Sequence, residues 1–232
     1  MKNLILLAVQ GAGKGTVAQA LVEDYGHVHI STGQILRGRR EQNDEIAKTI
    51  AECQDTGVLV PNKIVYQVFE ERLVKPDCQN YILDGFPRNL EQAKECDKIL
   101  TKLNKDDYLV INLTVPADIL IARIVSRRSC DKCGKIYNLD FAPMRPRIDG
   151  KCDDCDGNLT QRNDDSDPDA IRQRIEIYHE NAADLINYYQ TKGVLVDVDS
   201  TETQNAIQAI KKLLWLRLNL KPKLIKLRYQ VI

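Results

Sequence analysis

Residues 5–17 read ILLAVQGAGKGTV, an apolar run that passes directly into spaced glycines, a lysine and a threonine. A phosphate loop demands this order. Backbone N–H groups must turn inward, a helix must begin behind them, and a lysine must reach the outer phosphates. Gly11, Gly13 and Gly15 permit the tight backbone, and Lys14 brings the charge. Thr16 lies where a hydroxyl approaches Mg²⁺ or a β-phosphate. The match to G-x-x-x-x-G-K-[ST] is imperfect, because Ala8 holds the first glycine's place and Gly15 follows Lys14. An alanine in extended backbone costs little there, and one forced to positive φ costs about 1 kcal/mol. Neither removes a phosphate donor, so the rest of the chain decides whether the loop works.

Outward from the loop, apolar runs over Asn3–Ala8, His27–Ile30, Tyr81–Asp84, Tyr108–Val115 and Val194–Val198 predict strands. Their near-continuous apolar character, with helical segments between, predicts an α/β three-layer fold: a five-stranded parallel sheet covered on both faces. A helix over Val17–Tyr25 follows the loop. Pro61 opens one over Asn62–Leu73, Asp167 and Pro168 cap and open one over Asp169–Gln190, and Gly193 ends it. Two stretches break the rhythm. Thr32–Val60 is polar and helical with no strand; Arg128–Thr160 is rich in Cys, Asp, Lys and Gly and carries neither helix nor strand signal. A loop that long inside a compact domain needs something other than an apolar core to hold it. The closing stretch, WLRLNLKPKLIKLRYQVI at 215–232, alternates apolar with basic residues. It fits an amphipathic, surface-docked segment, with a frayed end as the alternative.

Among the 232 residues, 33 basic and 33 acidic side chains cancel. No global charge invites nucleic acid or an anionic membrane, so any anion site is local. No apolar run reaches the roughly 18 residues that span a bilayer. The opening MKNLILLAVQ is too short for a signal peptide and reads as a first strand. Of seven cysteines, four fall in two C-x-x-C units. Without a signal peptide this favours metal over disulfides, and a reducing cytoplasm. Cys130-x₂-Cys133 and Cys152-x₂-Cys155 have the spacing of a closed, structural Cys₄ zinc site. A glycine close behind each unit (CDKCGK, CDDCDG) lets the backbone turn and aim N–H groups at thiolate. The acidic residues around them disfavour a nucleic-acid-binding ribbon. Cys53, Cys78 and Cys96 have no such partner.

Further stretches stand in a telling order: HISTGQILR at 29–37, YILDGFPRNLEQA at 81–93, RIVSRR at 123–128, QRNDD at 161–165 and IRQRIEIYHE at 171–180. Together with AVQGAGKGT they resemble the signatures of the adenylate kinases, of the long-lid, zinc-binding bacterial type, over about residues 1–216. The resemblance implies a P-loop core over 1–31, 61–127 and 162–216, with a helical AMP-binding insertion at 32–60. It also implies a zinc-ribbon-like lid at 128–161 and a tail at 217–232. The reaction implied is MgATP + AMP ⇌ 2 ADP. The nucleophile is already a phosphate oxygen, so positioning and charge compensation suffice and no general base is required. The three histidines and the absence of a His-centred constellation suit that.

By the same resemblance, Lys14, Arg88, Arg127, Arg162 and Arg174 are catalytic. Arg37 and Arg88 hold the AMP phosphate, Arg123 and Arg127 serve the ATP side of the lid, and Arg162 and Arg174 surround the transferring group. Thr32, the backbone of Val58, Leu59 and Val60, and Gly85, Phe86 and Pro87 complete the AMP site, with Gln92 reading the adenine edge. ATP is taken by Gly11, Ala12, Gly13, Lys14, Gly15 and Thr16, its base by Ile136, Tyr137 and a backbone contact at Ser200. Asp84, at a strand end, holds Mg²⁺ through water. Zinc is expected on Cys130, Cys133, Cys152 and Cys155, in a cytoplasmic monomer that binds neither nucleic acid nor membrane. Three residues depart from the family pattern: Ala8 and Gln10 replace the glycine and proline of G-x-P-G-x-G-K-G-T, and Gln34 replaces the aspartate of S-T-G-D. They motivate a competing reading, a catalytically weakened nucleotide sensor. A UMP/CMP-type acceptor is disfavoured by Thr32 and Gln92.

Overall fold

The computed structural model describes residues 2–56, 60–142, 144–161 and 165–219. Five strands form one sheet in the order β2-β3-β1-β4-β8. They are β1 (Asn3–Leu7), β2 (Val28–Ser31), β3 (Tyr81–Asp84), β4 (Tyr108–Thr114) and β8 (Leu195–Asp199). Every neighbouring pair is parallel, as the apolar runs predict. Side chains alternate along a strand, so a central strand that is apolar throughout must feed two cores. β1 does so. Leu4 and Leu6 join one cluster with Leu21, Ile111 and Ile210; Ile5 and Leu7 join another with Phe69, Leu83 and Leu100. Each fully buried side chain of this kind contributes roughly 2 kcal/mol.

Helices α1 (Lys14–Tyr25), α6 (Ala117–Val125) and α8 (Thr203–Asn219) supply the first cluster, and α4 (Asn62–Leu73) and α5 (Leu90–Lys102) the second. The long α7 (Pro168–Thr191) belongs to both, with Ile171 and Ile175 in the first and Leu185 and Tyr189 in the second. Its start follows the sequence signal: the Asp167 side chain accepts from the Asp169 N–H at 2.9 Å, with Pro168 in the first turn. Gly193 closes it at φ 68°, its N–H on the Gln190 carbonyl. The polar stretch after β2 holds α2 (Thr32–Arg40) and α3 (Glu45–Thr56). Arg39 ties them through both oxygens of Asp44, whose Oδ1 also accepts the Ala47 N–H.

One expectation needs correction. The cysteine-rich stretch is not strandless: β5 (Arg127–Cys130), β6 (Ile136–Asn138) and β7 (Leu159–Thr160) form an antiparallel sheet in the order β6-β5-β7. Strands this short cannot display an alternating pattern, and their small core is Cys130, Tyr137 and Cys152 instead of aliphatic side chains. The basic closing stretch begins within a helix. α8 continues through Trp215 to Asn219, burying Leu213 and Leu214 while Trp215 stays 59% exposed. Residues 220–232 lie outside the described residues. Among the described residues no helix is long and apolar enough to cross a membrane.

The cap on α7 can be measured. Asp167→Ala should cost about 1 kcal/mol in denaturant unfolding, the usual loss of an N-cap acceptor. Unchanged stability would mean that Pro168 alone fixes the start of this helix.

Candidate active site

The phosphate loop lies between β1 and α1, against α6 and α8. Gly11 and Gly13 both have positive φ, 88° and 87°. A Cβ on Gly11 would stand 2.9 Å from Ile124 Cγ1, and one on Gly13 3.1 Å from Thr203 Oγ1. Both positions therefore need glycine for conformation and for space. Gly13 caps α1 without a side chain, and no acidic residue occupies the first turn. The leading N–H groups of α1 thus face a site that favours an anion. Ala8 does not share the positive φ of these glycines. Its methyl packs in the first core cluster and its carbonyl accepts Lys14 Nζ at 2.7 Å, with the Val9 carbonyl at 3.1 Å. The alanine leaves the loop intact.

Lys14 sits under a web of charges. Burial lowers its ammonium to about 8; Asp84 offsets part of that fall, and Arg88 and Arg127 deepen it. Burial alone would raise the Asp84 carboxyl, yet a hydrogen bond from His29 Nε2 at 3.2 Å and the charges of Lys14, His29 and Arg88 hold it below the ordinary carboxylate range. The sequence did not single out His29. Its partner lies 55 residues away, and only the pairing of β2 with β3 brings them together.

On the acceptor side, Gly85 (φ 83°) lets the chain turn after β3, and the place of its missing Cβ lies 3.4 Å from Arg88 Nη2 and 3.9 Å from Thr32 Oγ1. Arg88 Nε donates to the Gly85 carbonyl at 2.8 Å, and Thr32 Oγ1 to the Asp84 carbonyl at 3.4 Å. Phe86 and Pro87 are buried behind them, and Val60 is half-buried. The Gln92 amide is held at both ends, accepting from the Arg88 N–H at 2.9 Å and donating to Asn62 Oδ1 at 3.0 Å. Arg37 opens onto a cleft of about 520 Å³ with Arg40, Glu41 and Gln54. Val58, Leu59, Arg162 and the side chain of Arg174 lie outside the described residues.

The residues expected on the ATP side each have partners within the protein. Tyr137 is buried, its hydroxyl 3.3 Å from Cys152 Sγ and accepting the Asp153 N–H at 2.7 Å, so its side chain belongs to the cysteine cluster. Ser200 has its N–H on the Thr114 carbonyl and its hydroxyl on the Ala12 carbonyl, pegging the phosphate loop to β8. Arg123 donates to the carbonyls of Ser200 and Thr201 at 3.0 and 2.6 Å and lies over the Phe141 ring. Ile136, half-buried, pairs with Ser129 in the small sheet. Arg127 grips Asp165 with two hydrogen bonds. Thr16 Oγ1 meets Met144 Sδ at 3.5 Å.

The four cysteines converge, their Sγ atoms all within 4.8 Å of one another. Two turns of like geometry present them. The Gly134 N–H bonds the Cys130 carbonyl and the Asp156 N–H the Cys152 carbonyl, each at 3.1 Å. The residue after the second cysteine of each unit is left-handed, Gly134 at φ 72° and Asp156 at φ 54°. The sequence reading gave the second turn to Gly157. That glycine instead makes room, since a Cβ there would stand 2.5 Å from Cys130 Sγ. The Cys133 N–H draws the Cys130 thiol below its ordinary range, and the Tyr137 hydroxyl draws Cys152 to about 6.

Positive φ at two glycines with a lysine beneath them is what a phosphate chain asks of a backbone, and an arginine facing it across β3 suits a second phosphate. The class is a P-loop phosphotransferase. Similarity narrows it: residues 6–194 match the model of the adenylate kinase family. The chain is 46% identical over 201 residues to an adenylate kinase of Archaeoglobus fulgidus, covering 86% of this chain and 91% of the relative. It is 44% identical over 213 residues to one of Thermodesulfovibrio yellowstonii (90% and 98% covered) and 42% over 200 to one of Kosmotoga olearia (86% and 92%). The chain belongs to the adenylate kinase family.

The depressed Lys14 gives a signed expectation. Its folded value of about 8 lies below the free value of 10.5, so between those pH values the unfolded chain binds more protons and stability from this group rises with pH. Melting temperatures of the nucleotide-free wild type should therefore gain on those of Lys14→Met as pH is raised from about 7.5 to 10.5. Parallel curves would contradict the burial of a charged lysine.

Proposed function

We infer that this chain transfers the terminal phosphoryl group of MgATP to AMP, reversibly, giving two ADP. The observation that carries the reading is the convergence of Lys14, Asp84 and Arg88 between the phosphate loop and the end of β3, with Thr32 and Gly85 beside them. In this reading the loop N–H groups and Lys14 bind the ATP phosphates. Arg37 and Arg88 hold the AMP phosphate, and Arg127, Arg162 and Arg174 compensate charge on the moving group. Thr16 and Asp84 are the residues that would hold Mg²⁺, which neutralises phosphate charge when it arrives with ATP. Gln92 reads the AMP base. Arg123 serves the ATP side of the lid, and Ile136, Tyr137 and the backbone at Ser200 take the ATP base. The working parts are the core (1–31, 61–127, 162–216), the insertion (32–60) and the lid (128–161), which keeps water from the phosphoryl group.

The cysteines fit zinc. Sulfurs placed tetrahedrally about 2.3 Å from one ion stand about 3.8 Å apart, and two of the pairs here are 3.5 Å (Cys130–Cys155) and 3.6 Å (Cys133–Cys152). Four protein ligands leave no open position, so the ion's role is structural. Its binding supplies folding energy to a lid whose own core is three side chains. A Cβ on Gly157 would press on Cys130 Sγ and Asp131 Oδ1; a free thiol can turn away from it, and a metal-bound one cannot. Gly157→Ala should lose most of the metal found by elemental analysis, and Gly38→Ala, a helical site outside the lid with no atom near its Cβ, should keep it. Equal zinc content in the two variants would count against the site.

The reaction itself is tested at Arg88. Arg88→Ala should lower kcat/KM for AMP by 10²–10³-fold, about 3–4 kcal/mol of lost transition-state stabilisation, with the fold retained by circular dichroism. Near-normal turnover would refute the role of this arginine and the acceptor site built on it.

A further inference from the structure

The side chain of Gln10 is not accounted for by the reading above. It leaves the phosphate loop next to Gly11, and its Nε2 donates to Asp165 Oδ1 at 3.2 Å. Asp165 is fully buried. The same carboxylate accepts Arg127 Nε on Oδ2 at 2.8 Å and Arg127 Nη2 on Oδ1 at 2.7 Å. Arg127 opens β5, where the chain enters the small sheet, and Asp165 stands where it returns towards α7. Gln161 adds a second stitch there, donating to the carbonyls of Val125 at 2.8 Å and Asp165 at 3.1 Å. One buried carboxylate, on the returning chain, thus joins the phosphate loop to the start of β5.

We propose that Gln10 is a positioning residue for phosphoryl transfer: through Asp165 it fixes the height of the Arg127 guanidinium above the phosphate loop. The bonds to Asp165 use Nε and Nη2 of Arg127, so in this proposal Nη1 is the donor for a phosphate oxygen. Without Gln10 the ion pair persists, but its reference to the loop is gone. A small error in the placement of such a donor lowers the rate more than it lowers binding. Proline, which the family motif carries at this position, has no side-chain donor and cannot make the link.

The inference rests on the kinase reading, and a double-mutant cycle tests it. kcat and KM for AMP and for MgATP are measured for the wild type, Gln10→Ala, Arg127→Ala and the double variant. Gln10→Ala should lower kcat about fivefold with KM for AMP within twofold, and should have no further effect once Arg127 is absent. A full-sized Gln10→Ala effect in the Arg127→Ala background, an unchanged kcat, or an equal rise in KM for AMP would each overturn it. If Arg127→Ala fails to fold because Asp165 is left unpaired, Arg127→Lys serves as the background. It keeps a cation on the carboxylate but lacks the two-pronged grip. Gln10→Glu, which sets a second carboxylate against Asp165, should lose more kcat than Gln10→Ala; a smaller loss would also contradict the proposal. A wild type inactive toward AMP would strike the kinase reading; an active one with an additive cycle strikes this inference alone.

Discussion

A buried ammonium held under a ring of backbone N–H groups is the constraint from which the rest of the core follows. Lys14 rests on the carbonyls of Ala8 and Val9, where burial works against its charge. A site like this is paid for by the packing around it. Gly11 lies against Ile124 of α6 and Gly13 against Thr203 of α8, so these helices fix the loop's curvature. Ser200 pegs the loop to β8 from within the core. Beneath them β1 feeds both apolar layers, so the loop sits on the best-buried strand of the sheet.

The small antiparallel sheet obeys a different logic. It has too few apolar side chains to hold itself, and its two cysteine turns converge on one point. Stiffness comes from four thiolates on one ion in the proposed reading, and from Tyr137, which bridges Cys152 and Asp153. In that reading the sheet would move as a body, which a water-excluding lid requires.

The sequence made the parallel sheet legible because each core strand is long and apolar enough to stand out, and β3 falls on Tyr81–Asp84 as read. The phosphate loop was legible because its chemistry is local in sequence. What stayed hidden depends on partners far apart. His29 meets Asp84 only through strand order, and Arg127 meets Asp165 only through the return of the chain from the lid. The tie of Tyr137 to the cysteines was hidden in the same way, since its hydroxyl reaches Cys152 across 15 residues. The left-handed turn at Asp156 was masked by the glycine beside it, whose role is space. The strands of the small sheet were invisible because two to four residues carry no period.

The most direct measurement is the fate of phosphate in the purified protein given MgATP and each of AMP, UMP and CMP in turn, followed by ³¹P NMR. The account predicts conversion of MgATP and AMP to ADP alone, two molecules for each ATP consumed, at a rate well above that with UMP or CMP. Binding of ATP without turnover, or faster transfer to UMP or CMP, would contradict it.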